Sequence, residues 1–417
     1  MKRILVLGAG FSGLWCAVGA ARALDELQAS ADDVEITVVN RDAWHNVRVR
    51  DYESDLSRVR VPLHDVLDPV GVQLVEGEVT GFDVARHEVA VETGGKTQRL
   101  GYDRMVFALG SRLVRPDIPG LAEHAFDVDT WAAGQRLNEH IAALPAQPRA
   151  AGRFTVLVVG SGLTGCEAAT EAAGKLRASI ERAGLTGKVE PRVIIADHAG
   201  HIGSNMGDSA MPGISEALAA LGIESRTGVR VTAIDAAGAI VDGSERIDAA
   251  TVIWCAGMHA NPLAARFGVP LDRFGRLAVD EFLRAAGIKD VFAAGDVAHF
   301  EISPGHDNVM SCQHGRPMGR FAGHNVVCDL LGKPMLPLRI DWYTTILDLG
   351  AWGAVYTEGW DRRVASRESA AKQTKRTINR VRIYPPLTRR RAEILAAAAP
   401  AVQTPPEKYR DPAASAA

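Results

Sequence analysis

Gly8-Ala9-Gly10-Phe11-Ser12-Gly13 follows the apolar run Arg3-Ile4-Leu5-Val6-Leu7, and Gly160-Ser161-Gly162-Leu163-Thr164-Gly165 follows Phe154-Thr155-Val156-Leu157-Val158-Val159. Each copy leads into an Ala-rich stretch of helical character, so the same strand–turn–helix unit occurs twice, about 150 residues apart. In such a unit the first glycine permits a tight turn and the second lets the backbone approach a pyrophosphate. The third lets helix and strand pack closely, with the helix N-terminus facing the phosphates. One GxGxxG is a weak signal; two in this context imply two dinucleotides in one chain, and electron transfer between them is the use that needs both.

Working outward, the first unit reaches a second strand, Glu35-Ile36-Thr37-Val38-Val39, which ends at Asn40-Arg41. Residues 73–91 alternate like strands of a small antiparallel sheet. Tyr102 to Ser111 reads as a buried strand ending in a small-residue turn, and Asp117-Ile118-Pro119-Gly120 as a crossover turn. The second unit has its own second strand, Arg192 to Asp197, a helix from Gly213 to Leu221, and a closing strand from Ala250 to Gly257. Val291-Phe292-Ala293-Ala294-Gly295-Asp296 is a buried strand with an acid at its tip, followed by a helix from about Ser311 to Leu331. Strands Trp342 to Leu349 and Gly353 to Glu358 precede a basic, helix-prone tail. The final Pro/Ala-rich dozen residues are expected to be disordered.

The chain has 417 residues, enough for two or three domains, with an ordinary 47% hydrophobic and 23% charged content. It opens on a core strand and has no long apolar run, so neither a signal peptide nor a transmembrane helix is expected, and a reducing cytosol fits. The five cysteines are scattered and form no CxxC or CxxxxC pair, which argues against a disulfide framework or a redox dithiol. His299, His306 and His314 lack metal-ligand spacing, and no metal site is expected. Between Arg362 and Arg391 eleven basic residues face the single acid Glu368, a local charge of +10 in a chain of net charge −3. That segment fits a solvated surface, an anionic lipid surface or an acidic protein partner. No nucleic-acid motif accompanies it.

These residues resemble the two-dinucleotide-binding-domain flavoproteins and, within them, the type II NADH dehydrogenases, over roughly residues 1 to 358. Four features match in order: GAGFSG at Gly8, the ALGS turn from Ala108 with Ile118-Pro119-Gly120 beyond it, GSGLTG at Gly160, and Ala293-Ala294-Gly295-Asp296. The resemblance implies an α/β fold with two Rossmann-like domains on parallel sheets. The NAD(P)H domain (121–275) is inserted in the FAD domain (1–120 and 276–335), and a small α+β C-terminal module (336–417) follows. It places FAD against Gly8, Gly10, Phe11, Ser12, Gly13, Asn40, Arg41, Val79, Ala108, Gly110, Gly295 and Asp296, with Asp296 on the ribityl chain. It places NADH against Gly160, Gly162, Thr164, Gly165, Asp197 and Gly257. Asp197, ending the second strand of its unit, favours NADH over NADPH because a carboxylate bonds a ribose 2′-hydroxyl and repels a 2′-phosphate.

Gly165-Cys166-Glu167-Ala168-Ala169-Thr170-Glu171 is similar to the family's GxExxxE, with both acids on one helix face. The resemblance gives the second, Glu171, a role beside the nicotinamide–flavin stack. Gln313 matches the second glutamine of the quinone-reducing members' AQxAxQxG, while Val309 replaces the first. Asn40 stands where an acid is usual. The expected activity is an FAD-dependent NADH dehydrogenase delivering electrons to a quinone or similar small acceptor, peripheral at the inner face of a membrane and homodimeric like its relatives. A reductase of an acidic carrier such as a ferredoxin or rubredoxin, and a redox-sensing flavoprotein without turnover, stay open beside it.

Overall fold

The computed structural model describes residues 1–29 and 33–404. The chain starts with β1 (Lys2–Leu7), α1 (Phe11–Glu26), β2 (Val34–Asn40) and β3 (Gln73–Glu76). An antiparallel ribbon of β4 (Glu78–Asp83), β5 (Glu88–Thr93) and β6 (Lys96–Gly101) precedes β7 (Arg104–Phe107). The second unit contains β8 (Ala125–Phe126), β9 (Thr155–Val159), α2 (Leu163–Arg182), β10 (Arg192–Asp197), β11 (Ile223–Thr227) and β12 (Thr251–Trp254). The chain then returns through β13 (Val291–Ala293) and α3 (Cys312–Leu330). It finishes with β14 (Thr344–Asp348), β15 (Ala354–Glu358), β16 (Arg363–Arg367), α4 (Glu368–Thr377) and α5 (Arg391–Ala397).

The two units share one topology. The first sheet runs β13-β7-β1-β2-β3 and the second β8-β12-β9-β10-β11, every pairing parallel. Both faces of such a sheet are covered, which is why the central strands are continuous runs of Val, Ile and Leu: Ile4 to Leu7 and Val156 to Val158 are fully buried. β13 enters the first sheet from beyond the second unit, and strands Ser111–Leu113 and Met258–Ala260 pair antiparallel where the chain passes between them.

Gln73–Glu76 joins the parallel sheet as its edge strand beside β2, where the alternation of residues 73–91 suggested antiparallel pairing throughout. The period-two pattern specifies a strand but not its partner. β16 lies inside the basic segment read as helix-prone. Its backbone pairs with β15, extending the C-terminal sheet to three strands. The final Pro/Ala-rich dozen residues lie outside the described residues.

α1 and α3 cross almost backbone to backbone. A Cβ on Gly319 would overlap the Ser12 carbonyl oxygen, and one on Gly323 the Cys16 carbonyl oxygen. Small residues on one face of α3 therefore set its height against α1, which brings the α3 N-terminus to the first glycine turn. No helix among the described residues is long and apolar enough to cross a membrane.

Candidate active site

The glycine turns have the same geometry in both units. Gly8 and Gly160 take φ of +95° and +99°, and a Cβ there would come within 2.7 Å of Ala108 O and 2.8 Å of Ala256 N. A Cβ on Gly13 would overlap Gly8 O, and one on Gly165 would overlap Gly160 O. Gly10 instead faces open space, and Gly162 meets only Asn205 Nδ2 at 3.5 Å. The first and third glycines are thus demanded by the fold, and the middle one leaves bare backbone at a helix N-terminus. Two phosphate-bearing dinucleotides fit these cradles.

The residue ending the second strand does the same job in each unit. Asn40 Oδ1 accepts the Ala9 N–H at 3.0 Å, and its Nδ2 donates to Asp42 O at 2.8 Å. Asp197 accepts the Ser161 N–H at 2.5 Å and the Ala199 N–H at 2.8 Å. Burial works to raise the Asp197 carboxyl, but these hydrogen bonds prevail and hold it below the ordinary carboxylate range. Arg41 is exposed and Val79 is buried on β4. Ala108 packs under the first turn, while Gly110 (φ +68°) and Gly257 (φ +83°) turn the chain where the units meet. A Cβ on Gly295 would overlap Ser12 Oγ, and Asp296 accepts a 2.5 Å hydrogen bond from Ser111 Oγ. Arg48 donates to the same hydroxyl at 3.0 Å and pairs with Asp129.

A cavity of about 1580 Å³ opens between the units. One wall is Gly160 to Thr164 with Asp197, and the opposite wall is the α3 N-terminus (Ser311, Cys312, Gln313) with Thr344 to Ile346 of β14. Ligand cavities commonly span about 300–1,000 Å³, so this one has room for a dinucleotide and a second molecule. Ser311 caps α3, its Oγ accepting the His314 N–H at 3.3 Å. The Gln313 amide, oriented to satisfy both its groups, donates to Thr344 O at 2.6 Å and accepts from Thr344 N at 3.2 Å, tying β14 to α3. His314 is buried with its Nδ1 accepting the Val309 N–H at 2.9 Å, and burial lowers its pKa to about 4. Burial pushes the Cys312 thiol up, against the pull of Lys375 and Arg316.

The two acids of α2 have different surroundings. Glu171 lies outside the cavity wall and accepts from Ser54 N–H (2.9 Å) and Ser54 Oγ (2.5 Å), fastening the loop after Arg50 to the helix. Glu167 lines the cavity and receives Lys375 Nζ at 2.6 Å and the Asp348 N–H at 3.1 Å. Burial pushes the Glu167 carboxyl up even with the ammonium beside it. Lys375 comes from the basic segment, and its partner lies 208 residues away in sequence. Lys372 binds Asp348, Arg367 binds Glu216, Arg389 binds Asp65 and Arg391 binds Asp25. Much of the +10 segment is therefore consumed by acids of the chain itself. Sequence reasoning passed over Lys375, Arg316 and Arg320; the first was one charge among eleven, and the other two sat in an ordinary helix.

Two parallel-sheet nucleotide units facing each other across one cavity, with an N-terminal helix end and a hairpin as its far wall, define a two-dinucleotide oxidoreductase. Residues 2–319 match the family model described as pyridine nucleotide-disulphide oxidoreductase. The chain belongs to that family and is an NAD(P)H oxidoreductase. A NADH dehydrogenase-like protein of Mycobacterium tuberculosis is 52% identical over 97% of this chain and 100% of its own. The type II NADH:quinone oxidoreductase of the same species is 30% identical over 73% of this chain and 68% of its own. In structure, the chain is similar to NDH2 of Plasmodium falciparum solved with NADH, at TM-score 0.76 and 13% identity, covering 95% and 97% of the two chains.

Proposed function

We propose that the protein oxidises NADH and passes the electrons through FAD to a quinone or similar small acceptor. In balance, NADH, one proton and the quinone give NAD⁺ and the hydroquinone. The observation that carries this reading is the continuity of one cavity from the Gly160 turn and Asp197 to the α3 N-terminus. A nicotinamide held on the first wall and an acceptor on the second then share one space. FAD, when bound along Gly8 to Gly13, Gly295 and Asp296, supplies the group that takes up a hydride and releases electrons.

The chain's own residues orient and insulate. Asp197 favours the 2′-hydroxyl of NADH over a 2′-phosphate. The α3 N-terminus and the Lys375 ammonium both turn positive potential toward the middle of the cavity, where negative charge develops on reduction. Glu167 holds Lys375 there, taking the place the family pattern suggested for Glu171, and Gln313 keeps β14 closed over the site. The division into residues 1–120, 121–275, 276–335 and 336–417 belongs to this reading.

Contact with a membrane surface is supported by Val381 and Leu387, exposed at 66% and 62%, beside the exposed Arg376, Arg380 and Arg382. Anaerobic titration of the purified flavoprotein with NADH, then with a water-soluble quinone, tests the proposal. The expected result is bleaching of the flavin band followed by full recovery. Bleaching without recovery transfers the acceptor's role to a carrier protein or to sensing, and absence of bleaching overturns the reading of the second unit.

A further inference from the structure

Arg316 and Arg320 sit one turn apart on α3, and both guanidiniums lie over the indole of Trp15 on α1, at 5.0 Å and 4.5 Å from its centre. Among the described residues neither forms an ion pair, and the Nε atoms of both, with Trp15 Nε1, are buried without an acceptor. Burial lowers the affinity of each for its proton, and in Arg320, whose pKa falls to about 10, the neighbouring Arg316 adds to the effect. Both arginines line the large cavity, and both line a second one of about 420 Å³ that also touches Arg380 and Arg382. Neither Arg380 nor Arg382 has an ion-pair partner among the described residues.

The three most deeply buried cations among the described residues are each neutralised by an acid. Arg50 has Glu53, Arg276 has Asp272 and Lys375 has Glu167. Two adjacent desolvated cations with no counter-charge are costly and repel each other, and the cost is recovered when an oxyanion accepts from both. A purely hydrocarbon chain lying there would strip water from the guanidiniums and return nothing.

We propose that Arg316 and Arg320, seated on Trp15, form an oxyanion-binding site at the outer end of the acceptor channel, and that the acceptor is an acidic small molecule: a quinone or related two-electron acceptor bearing a carboxylate, sulfonate or phosphate. The inference rests on the proposed acceptor role of the cavity. Aromatic rings (Tyr343) and aliphatic side chains (Ile346, Ile378, Ile383) line the large cavity beside Arg316 and Arg320, which suits a flat ring with its charged group outward.

The test compares an amino-naphthoquinone carboxylate with the same amino-naphthoquinone lacking the carboxylate, using the holoenzyme under NADH. The wild type is expected to show a KM at least about tenfold lower for the carboxylate, and inorganic phosphate should compete with the carboxylate alone. Arg316→Met and Arg320→Met should each raise the KM for the carboxylate about tenfold or more and move that for the neutral quinone less than about twofold. Equal KM values for the two quinones in the wild type overturn the proposal without any variant. If neither quinone reoxidises the flavin, the proposed function fails. The site is then judged alone by calorimetric titration of the carboxylate into wild-type and doubly substituted protein. Binding lost in the variant upholds it, and binding absent or unchanged sinks it. Phosphate that binds as tightly as the carboxylate and blocks no turnover would assign the site to a free anion and overturn the acceptor reading.

Discussion

Lys375 Nζ lies 2.6 Å from Glu167 Oε1, with each side chain only 8% exposed, and this ion pair joins the basic C-terminal segment to the helix that opens the second nucleotide unit. Breaking a buried pair by removing one partner leaves the other charge uncompensated, at a cost of about 3–5 kcal/mol. Lys375→Met is therefore expected to be strongly destabilised, and Glu167→Leu combined with Lys375→Met less so, as read by denaturant unfolding. In the single variant the Glu167 carboxyl, already raised by burial, rises further. Its stability should be highest in acid and fall as pH rises through the shifted value, because the folded state then holds a proton the unfolded state releases.

Asn40 and Asp197 occupy equivalent places, each accepting an N–H from its own glycine turn. Asp197→Asn should therefore keep the fold while removing the charge that repels a 2′-phosphate. The ratio of kcat/KM for NADH over NADPH is expected to fall about tenfold, with thermal stability near wild type. An unchanged ratio would mean that the carboxylate serves only the turn.

The glycines divide by what a methyl group would meet. Gly165→Ala forces overlap with Gly160 O and should abolish folding of the second unit. Gly162→Ala meets only an asparagine side chain, so the protein should fold and retain flavin while the KM for NADH rises about tenfold. Flavin content and NADH kinetics measured on the two variants check both halves.

How much of this was legible in the chain follows from the range of the interactions. The glycine turns, the strands before them and Asp296 are local features, since a tight turn demands glycine wherever it occurs. The parallel order of both sheets followed from the repeated unit. The different surroundings of Glu167 and Glu171 were not legible. Both lie on one helix face, and only the arrival of Lys375 and Asp348 from the far end of the chain distinguishes them. The edge strand Gln73–Glu76 was likewise undecided, because alternation alone does not choose between partners. Arg316 and Arg320 gave no signal either: an arginine in a helix is ordinarily solvated, and it is α1 packed through Gly319 and Gly323 that brings Trp15 beneath them.

His45 and His314 are fully buried, and burial lowers both from an ordinary value near 6.5 to about 4. His45 donates from Nδ1 to Ala9 O at 2.8 Å, directly behind the first glycine turn; that bond favours the protonated ring, but burial prevails and holds it neutral. The sign follows from proton counts. Between pH 6.5 and about 4 the unfolded chain binds a proton at each position that the folded chain refuses, so stability falls as pH falls through that window. Full loss across it is roughly 3 kcal/mol for each histidine. Asp51, raised by burial to about 7, and Glu167, also raised, contribute the opposite slope, so the test is a difference between two proteins: in urea unfolding at a series of pH values, His45→Gln, whose amide can still donate to Ala9 O, should lose roughly 3 kcal/mol less than the wild type across this window. If the two proteins lose the same amount, His45 is not the group that titrates.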